Sequence, residues 1–228
     1  MVQENTKEGY ALKVRVKFAK EGAMKFIGHL DIMRYFQKAV KRANLDVAFS
    51  EGFSPHMIMS FASPLGVGIT STGEYFDMEL KSATTSSDMV KRLNDAMAEG
   101  MKILSIRQVE DGKASKAMSL VAAADYRLKF HETAKLPENW KEKLEEFKAQ
   151  KEIVILKKTK KSEKELDIRP FIYKLSLEEK DEIFMQLAAG SSNNTKPELV
   201  MEAFAAFMEI PYDNLKFMIH RCELYADT

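Results

Sequence analysis

The chain has 228 residues, 45% of them hydrophobic and 30% charged, a balance that excludes disorder and mini-protein folds and suits one large domain or two small ones. Thirty-five basic against thirty-four acidic residues leave no global positive field, so any anionic partner must be met by a local patch. The single cysteine, Cys222, removes an internal disulfide and any Cys–His zinc or iron–sulfur framework, and no apolar run approaches the ~20 residues of a membrane span, so a soluble, cytoplasmic protein is expected.

Leu12, Val14, Val16 and Phe18 alternate with Lys13, Arg15 and Lys17, the period-two pattern of a half-buried strand. From Leu30 to Ala43 the spacing becomes helical: Ile32, Phe36, Ala39, Val40 and Ala43 share one face, with Arg34, Lys38, Lys41 and Arg42 elsewhere. Residues 46–49 make a short strand candidate. After the loop 50–55 an extended region runs from His56 to Leu80, where Phe76, Met78 and Leu80 alternate. Ser86, Ser87 and Asp88 are placed to cap a helix that Gly100 stops, and a β-like run covers 101–109. The order is β-α-β-β-α-β.

A polar junction at 110–116 suits a linker, and the same order then repeats. Tyr126, Leu128 and Phe130 alternate as a strand; Pro137 opens a helix bearing Trp140, Leu144 and Phe147; runs at 153–156, 166–175 and 183–189 read as strands. Pro197 opens a helix through Met208, and 215–225 closes the half as a strand. The expected fold is therefore α+β, two ferredoxin-like domains in tandem at 10–110 and 124–228, joined by a linker at 111–123. The second copy carries an extra hairpin with Lys157-Lys158-Thr159-Lys160-Lys161 at its turn.

Lys13, Arg15 and Lys17 resemble a platform for phosphates. In this topology, however, they face Tyr75, Asp77 and Glu79 on the neighbouring strand, so charge pairing across the ladder is the expected outcome. Two basic clusters are left without nearby acids: Arg34, Lys38, Lys41 and Arg42 on the first helix, after Asp31, and the lysine turn. For each, a solvated face is the plain alternative. Among the histidines, His29 stands at the strand-to-helix transition, with Gly28 as N-cap and Asp31 placed to reach back toward it. His56 follows Pro55, and the strand beyond presents Ser60. If the two loops share a cleft, His29, Asp31, Arg34, His56 and Ser60 line it, with His29 and His56 as acid–base candidates. The loop 190–197, with Asn194, reads as an anion-binding turn or a helix cap. Gly66-Val67-Gly68 lacks the third glycine and following helix of a dinucleotide loop, and Cys222 has no paired base to activate it. No metal site and no cofactor motif is read.

Phe26-Ile27-Gly28-His29-Leu30-Asp31, Arg34, Arg42, Ser50-Glu51-Gly52-Phe53-Ser54-Pro55-His56, Ser60-Phe61, Pro64-Leu65, Gly68, Glu74 and Asp77 resemble the motifs of the radical SAM-linked protein family, a bacterial domain of uncharacterised function. Asp167-Ile168-Arg169-Pro170 and the loop from Gly190 through Asn194 to Lys196-Pro197 extend the likeness over most of the chain. Gly28 stands where the family typically has serine, and Ser54 and Met57 where asparagine and proline are usual. The resemblance implies association with a radical SAM protein carrying a cobalamin-binding-type domain. This chain has no CxxxCxxC and cannot itself hold the three-thiolate cluster, so it looks like the partner rather than the radical generator. Two functions follow: an accessory module that binds tRNA or rRNA for modification, which is favoured, or a metal-independent RNA-processing enzyme using the histidine pair. Asp31, Arg34, Lys38, Arg42, Ser60, Arg169 and Asn194 are the binding candidates. A fold-level analogy runs to tandem ferredoxin-like proteins that act on RNA, including tRNA pseudouridine synthases and CRISPR-repeat endoribonucleases.

Overall fold

Strand alternation and a helical apolar stripe build the first core. β1 (Leu12–Lys20) turns Val14, Val16 and Phe18 inward, and α1 (His29–Arg42) buries Ile32, Phe36, Ala39 and Val40 in the same core. The computed structural model describes residues 12–109, 117–158, 163–190 and 193–226, with only the backbone of 157, 158, 163 and 164. The unit continues through β2 (Met59–Phe61), β3 (Thr70–Leu80), α2 (Ser86–Asp95), β4 (Met101–Gln108) and a short α3 (Ala117–Leu120). β1 lies between β4 and β3, β2 pairs with β3, and every pairing is antiparallel. Phe18, Phe36, Phe61 and Phe76 form one aromatic cluster, with ring centroids from 4.7 Å (Phe18–Phe36) to 6.1 Å (Phe18–Phe61). Burying one such ring contributes about 1.5–3 kcal/mol.

The chain divides into two compact units between Val121 and Ala122. The second comprises β5 (Val121–Phe130), α4 (Trp140–Lys148), β6 (Val154–Lys158), β7 (Glu163–Asp167), β8 (Ile172–Leu177), β9 (Glu182–Ala188), α5 (Pro197–Phe207) and β10 (Phe217–Ala226). Its strands lie in the order β10–β5–β9–β8, and β6 and β7 form a separate antiparallel hairpin between α4 and β8. Leu128, Ile183, Met185 and Leu187 are buried on the strands, and Phe147 of α4 meets Phe204 of α5 at 5.3 Å between ring centroids. The mixed α+β class, with antiparallel ladders, is as the periodicities predict. The expected junction at 110–116 and residues 159–161 of the lysine turn lie outside the described residues, as do the side chains of Lys157 and Lys158.

Four local expectations need correction. Residues 46–49 form no strand, only single bridges at Val47–Leu80 and Phe49–Met57, because Ala48 divides its backbone bonds between Glu79 and Ile58 and no ladder extends. The run 166–175 breaks into β7 and β8. Pro170 has no N–H for a ladder, and a 3-10 turn at Arg169–Phe171 replaces it. α2 is capped by Thr85, whose hydroxyl accepts the Asp88 N–H at 3.2 Å, rather than by the serines that follow. α4 starts at Trp140, after a turn in which the Trp140 N–H donates to the Pro137 carbonyl.

Two positions give direct tests of this packing. Gly100 holds φ +86, its carbonyl accepts the Glu21 N–H at 2.8 Å, and a Cβ there would sit 2.6 Å from the Glu21 carbonyl oxygen. Gly100→Ala is expected to lower stability by about 1–3 kcal/mol, seen as a reduced denaturant midpoint at constant slope; an unmoved midpoint refutes it. In the second unit the Tyr225 hydroxyl donates to Asp125 at 2.7 Å, and this hydrogen bond, helped by burial, pushes the phenol up to about 12. The folded value exceeds the ordinary ~10. The contribution to stability is therefore complete below pH ~10 and is lost as pH rises through about 12. Tyrosinate absorbance should show this late ionisation in the parent protein and lose it in Tyr225→Phe.

Candidate functional site

The basic face of β1 is neutralised as pairing across the ladder predicts. Arg15 makes a two-pronged contact with Asp77 at 2.8 and 3.1 Å, and the Lys13 ammonium lies 3.7 Å from the same carboxylate. Lys17 lies over the Tyr75 ring. Asp77 also accepts the Ala117 N–H at 2.8 Å, so it ties the start of α3 to the sheet.

At the end of β1 the chain does something that sequence reasoning misses. Lys20 is only 1% exposed, and its ammonium donates to the carbonyls of Ile27 at 2.8 Å and Lys25 at 3.4 Å. Glu74 is buried on β3 and accepts the Ser71 hydroxyl at 2.7 Å. Lys20, Glu74, His29 and Ser63 line one cavity of about 10 Å³, the scale of a single water, walled by Phe18, Phe61 and Leu65. His29, the first residue of α1, stands edge-on to Phe61 with ring centroids 5.6 Å apart. The signal for Lys20 and Glu74 lies in the alternation itself: each belongs to the same parity as the core residues of its strand, Phe18 in β1 and Phe76 in β3.

The other candidates of this unit have separate engagements. Gly28 is the N-cap of α1, as expected, but Asp31 accepts the Arg34 guanidinium at 3.1 Å. Arg42 donates to the Ala96 carbonyl at the end of α2 (2.9 Å), and Arg92 of α2 does the same at the end of α1, its Nε donating to the Ala43 carbonyl at 2.9 Å. Each arginine thus caps the other helix's C-terminus. Lys38 and Lys41 remain exposed. His56 is exposed and closes its own loop: Nδ1 lies 2.8 Å from the Ser50 hydroxyl, and its carbonyl accepts the Ser50 N–H. It does not line the His29 cavity. Ser60 sits opposite Asp77 in the β2–β3 register, and alternation turns it away from Phe61, which faces His29. On the outer side, Phe26 is 64% and Leu30 67% exposed, and the Lys25 ammonium lies 5.2 Å from the Phe26 ring centroid.

In the second unit Arg169 donates to the carbonyls of Gln150 and Ile172, and Asn194 is exposed with a single bridge to Ala189. Burial pushes the Cys222 thiol up, away from the thiolate a nucleophile needs. Among the described residues no group of three or more His, Cys, Asp or Glu side chains is placed to hold a metal ion, and no helix is long and apolar enough to cross a membrane.

A profile of the family described as "uncharacterized protein conserved in bacteria (DUF2344)" matches residues 13–197. No curated protein matches the chain. Among solved structures, it is similar to a chain in the crystal structure of a Cbf5-Nop10-Gar1 complex (10% identity, TM-score 0.47), covering 94% of this chain and 50% of that one. It thus spans half the length of that relative. A second similarity is to an unknown protein from Galdieria sulphuraria (14% identity, TM-score 0.28), covering 96% of this chain and 100% of that one.

Removing the buried ammonium should expose its structural weight. Lys20→Met strands the Ile27 carbonyl, while the Lys25 carbonyl keeps the Gly68 N–H, and is expected to cost about 1–3 kcal/mol in denaturant unfolding. Lys38→Met, on the exposed face of α1, should stay within about 0.5 kcal/mol of the parent. Equal effects of the two substitutions would refute the assignment.

Proposed function

We propose that this chain, which belongs to the DUF2344 family of bacterial proteins, is an accessory protein that binds single-stranded RNA and presents it to a modifying enzyme. The observation that carries the reading is the outer line of α1. Leu30, Arg34, Lys38 and Arg42 recur at intervals of four along the helix, and exposed Phe26 ends the 3-10 turn that precedes it, so an aromatic stands before a cationic helix face. Every base has a face that can stack on an aromatic ring, at about 1–3 kcal/mol per base, while lysines meet phosphates whatever the sequence. Phe53, fully exposed on the loop that His56 closes, offers a second stacking ring. With Arg34 engaged by Asp31 and Arg42 by Ala96, Lys38 and Lys41 carry the phosphate contacts.

The enzyme served is a radical SAM protein with a cobalamin-binding-type domain, which the resemblance of the motifs at 26–31 and 50–56 supports, and the RNA is tRNA or rRNA. The two units are copies of one ferredoxin-like domain. Their strand orders, β4–β1–β3–β2 and β10–β5–β9–β8, correspond element by element once the β6–β7 hairpin is set aside, which supports the duplication. A second reading, metal-independent RNA cleavage, draws on the placement of His29 beside buried Lys20 and Glu74, with His56 outside that cavity.

Retention of a short unstructured RNA across a salt series tests the proposal. Lys38→Ala with Lys41→Ala should flatten the dependence of log affinity on log salt by about 0.7 for each phosphate no longer neutralised, and Phe26→Ala should weaken binding at unchanged slope. Unaltered affinity and slope in both variants would remove the RNA reading in favour of a protein adaptor. Cleavage of the RNA by the parent, abolished in His29→Ala, would favour the hydrolase.

A further inference from the structure

The second unit contains a cavity of about 160 Å³ into which Lys148, Arg169 and Lys174 converge, and no carboxylate belongs to its lining. The local structure explains how three cations reach one place. α4 ends at Lys148. The 3-10 turn that interrupts the β7–β8 run carries Arg169, and the Asp167 carboxylate holds that turn by accepting the N–H groups of Arg169 (2.9 Å) and Ile153 (2.8 Å). The guanidinium is fixed in turn: Nε donates to the Gln150 carbonyl at 3.2 Å and Nη1 to the Ile172 carbonyl at 3.0 Å, while Nη2 has no hydrogen-bond partner among the described residues. β8 shifts register between Ile172 and Lys174, and this bulge leaves the consecutive residues Tyr173 and Lys174 both exposed and both on the cavity.

Like charges gathered without an acid repel one another, and an anion among them relieves the repulsion. Of the three, only Lys148 pairs with a carboxylate among the described residues. Lys148 has Glu145 at 2.9 Å, an exposed pair of adjacent helical turns whose worth is small, and Lys174 lies over the Phe184 ring. A guanidinium held by two backbone carbonyls, with Nη2 left over and two ammonium groups lining the same cavity, matches the oxygens of a phosphate. Ile153 and Leu175 give the cavity an apolar side, and the Tyr173 ring can stack. We infer that this cavity binds the phosphate of a phosphate monoester carried on a planar body, such as a nucleoside monophosphate or the 5′-phosphorylated end of an RNA. The site lies wholly within the second unit and does not depend on the α1 surface.

Titration calorimetry of the full chain with AMP, adenosine and inorganic phosphate tests the inference. AMP should bind saturably and more tightly than phosphate, and adenosine should not bind. Lys148→Ala and Lys174→Ala should each weaken AMP roughly tenfold, and Arg169→Lys, which keeps the charge but removes the fork, should weaken it as well. Melting temperatures without ligand should hold in both lysine variants, so a loss of binding is not a loss of folding. A 5′-phosphorylated RNA that outcompetes its 5′-hydroxyl counterpart and AMP identifies the RNA end as the ligand; AMP binding without that preference identifies a free nucleotide. No saturable binding of AMP or phosphorylated RNA, or parent-like binding in both lysine variants, overturns the site. Lys38→Ala with Lys41→Ala should bind AMP as the parent does, which separates this result from the fate of the RNA reading.

Discussion

A lysine ammonium withdrawn from water must be answered by nearby acceptors, because an unpaired buried charge costs several kcal/mol. Lys20 imposes that requirement on the first unit. Its ammonium takes the carbonyls of Lys25 and Ile27, which folds the 3-10 turn at Gly22–Phe26 back on the end of β1 and fixes where α1 begins. The Lys25 carbonyl also accepts the Gly68 N–H, and the Glu21 N–H donates to the Gly100 carbonyl, so two further loops are drawn to the same corner. The positions of His29, Phe26 and the outer line of α1 all follow from this one buried group.

Charge in a nearly neutral chain is sorted by the fold rather than by composition. Buried Asp77 gathers Arg15, Lys13 and a backbone N–H, and in doing so takes two cations of the basic β1 face away from contact with phosphates. Arg42 and Arg92 are absorbed in capping each other's helices, where cations offset the negative end of the helix dipole. Among the cations left exposed or on a cavity are Lys38 and Lys41 in the first unit and Lys148, Arg169 and Lys174 in the second. A count of lysines and arginines along the chain overstates the first set and hides the second.

The histidines show the same division between local and distant constraint. His56 is held by Ser50, six residues away in its own loop, and its role as a loop tie is local. His29 meets Phe61, Glu74 and Lys20 from three different strands, so its surroundings depend on how the sheet is assembled.

The amino-acid sequence by itself determined the α+β class, the inward faces of β1, β3 and α1, the N-cap at Gly28 and the pairing of Arg15 with Asp77. Each of these rests on a short-range period of two or 3.6 residues, or on the register those periods impose on neighbouring strands. Tertiary structure alone decided that Lys20 and Glu74 meet His29, that Arg42 reaches Ala96, 54 residues on, and that Lys148, Arg169 and Lys174 surround one cavity. The break in the run 166–175 belongs to the same group, since the turn at Arg169 is held by Asp167 together with Gln150 and Ile153 across the preceding hairpin. Such contacts depend on the path of loops whose residues carry no repeating pattern, and hydrogen bonds to backbone carbonyls leave no trace in the side chains of the residues that accept them.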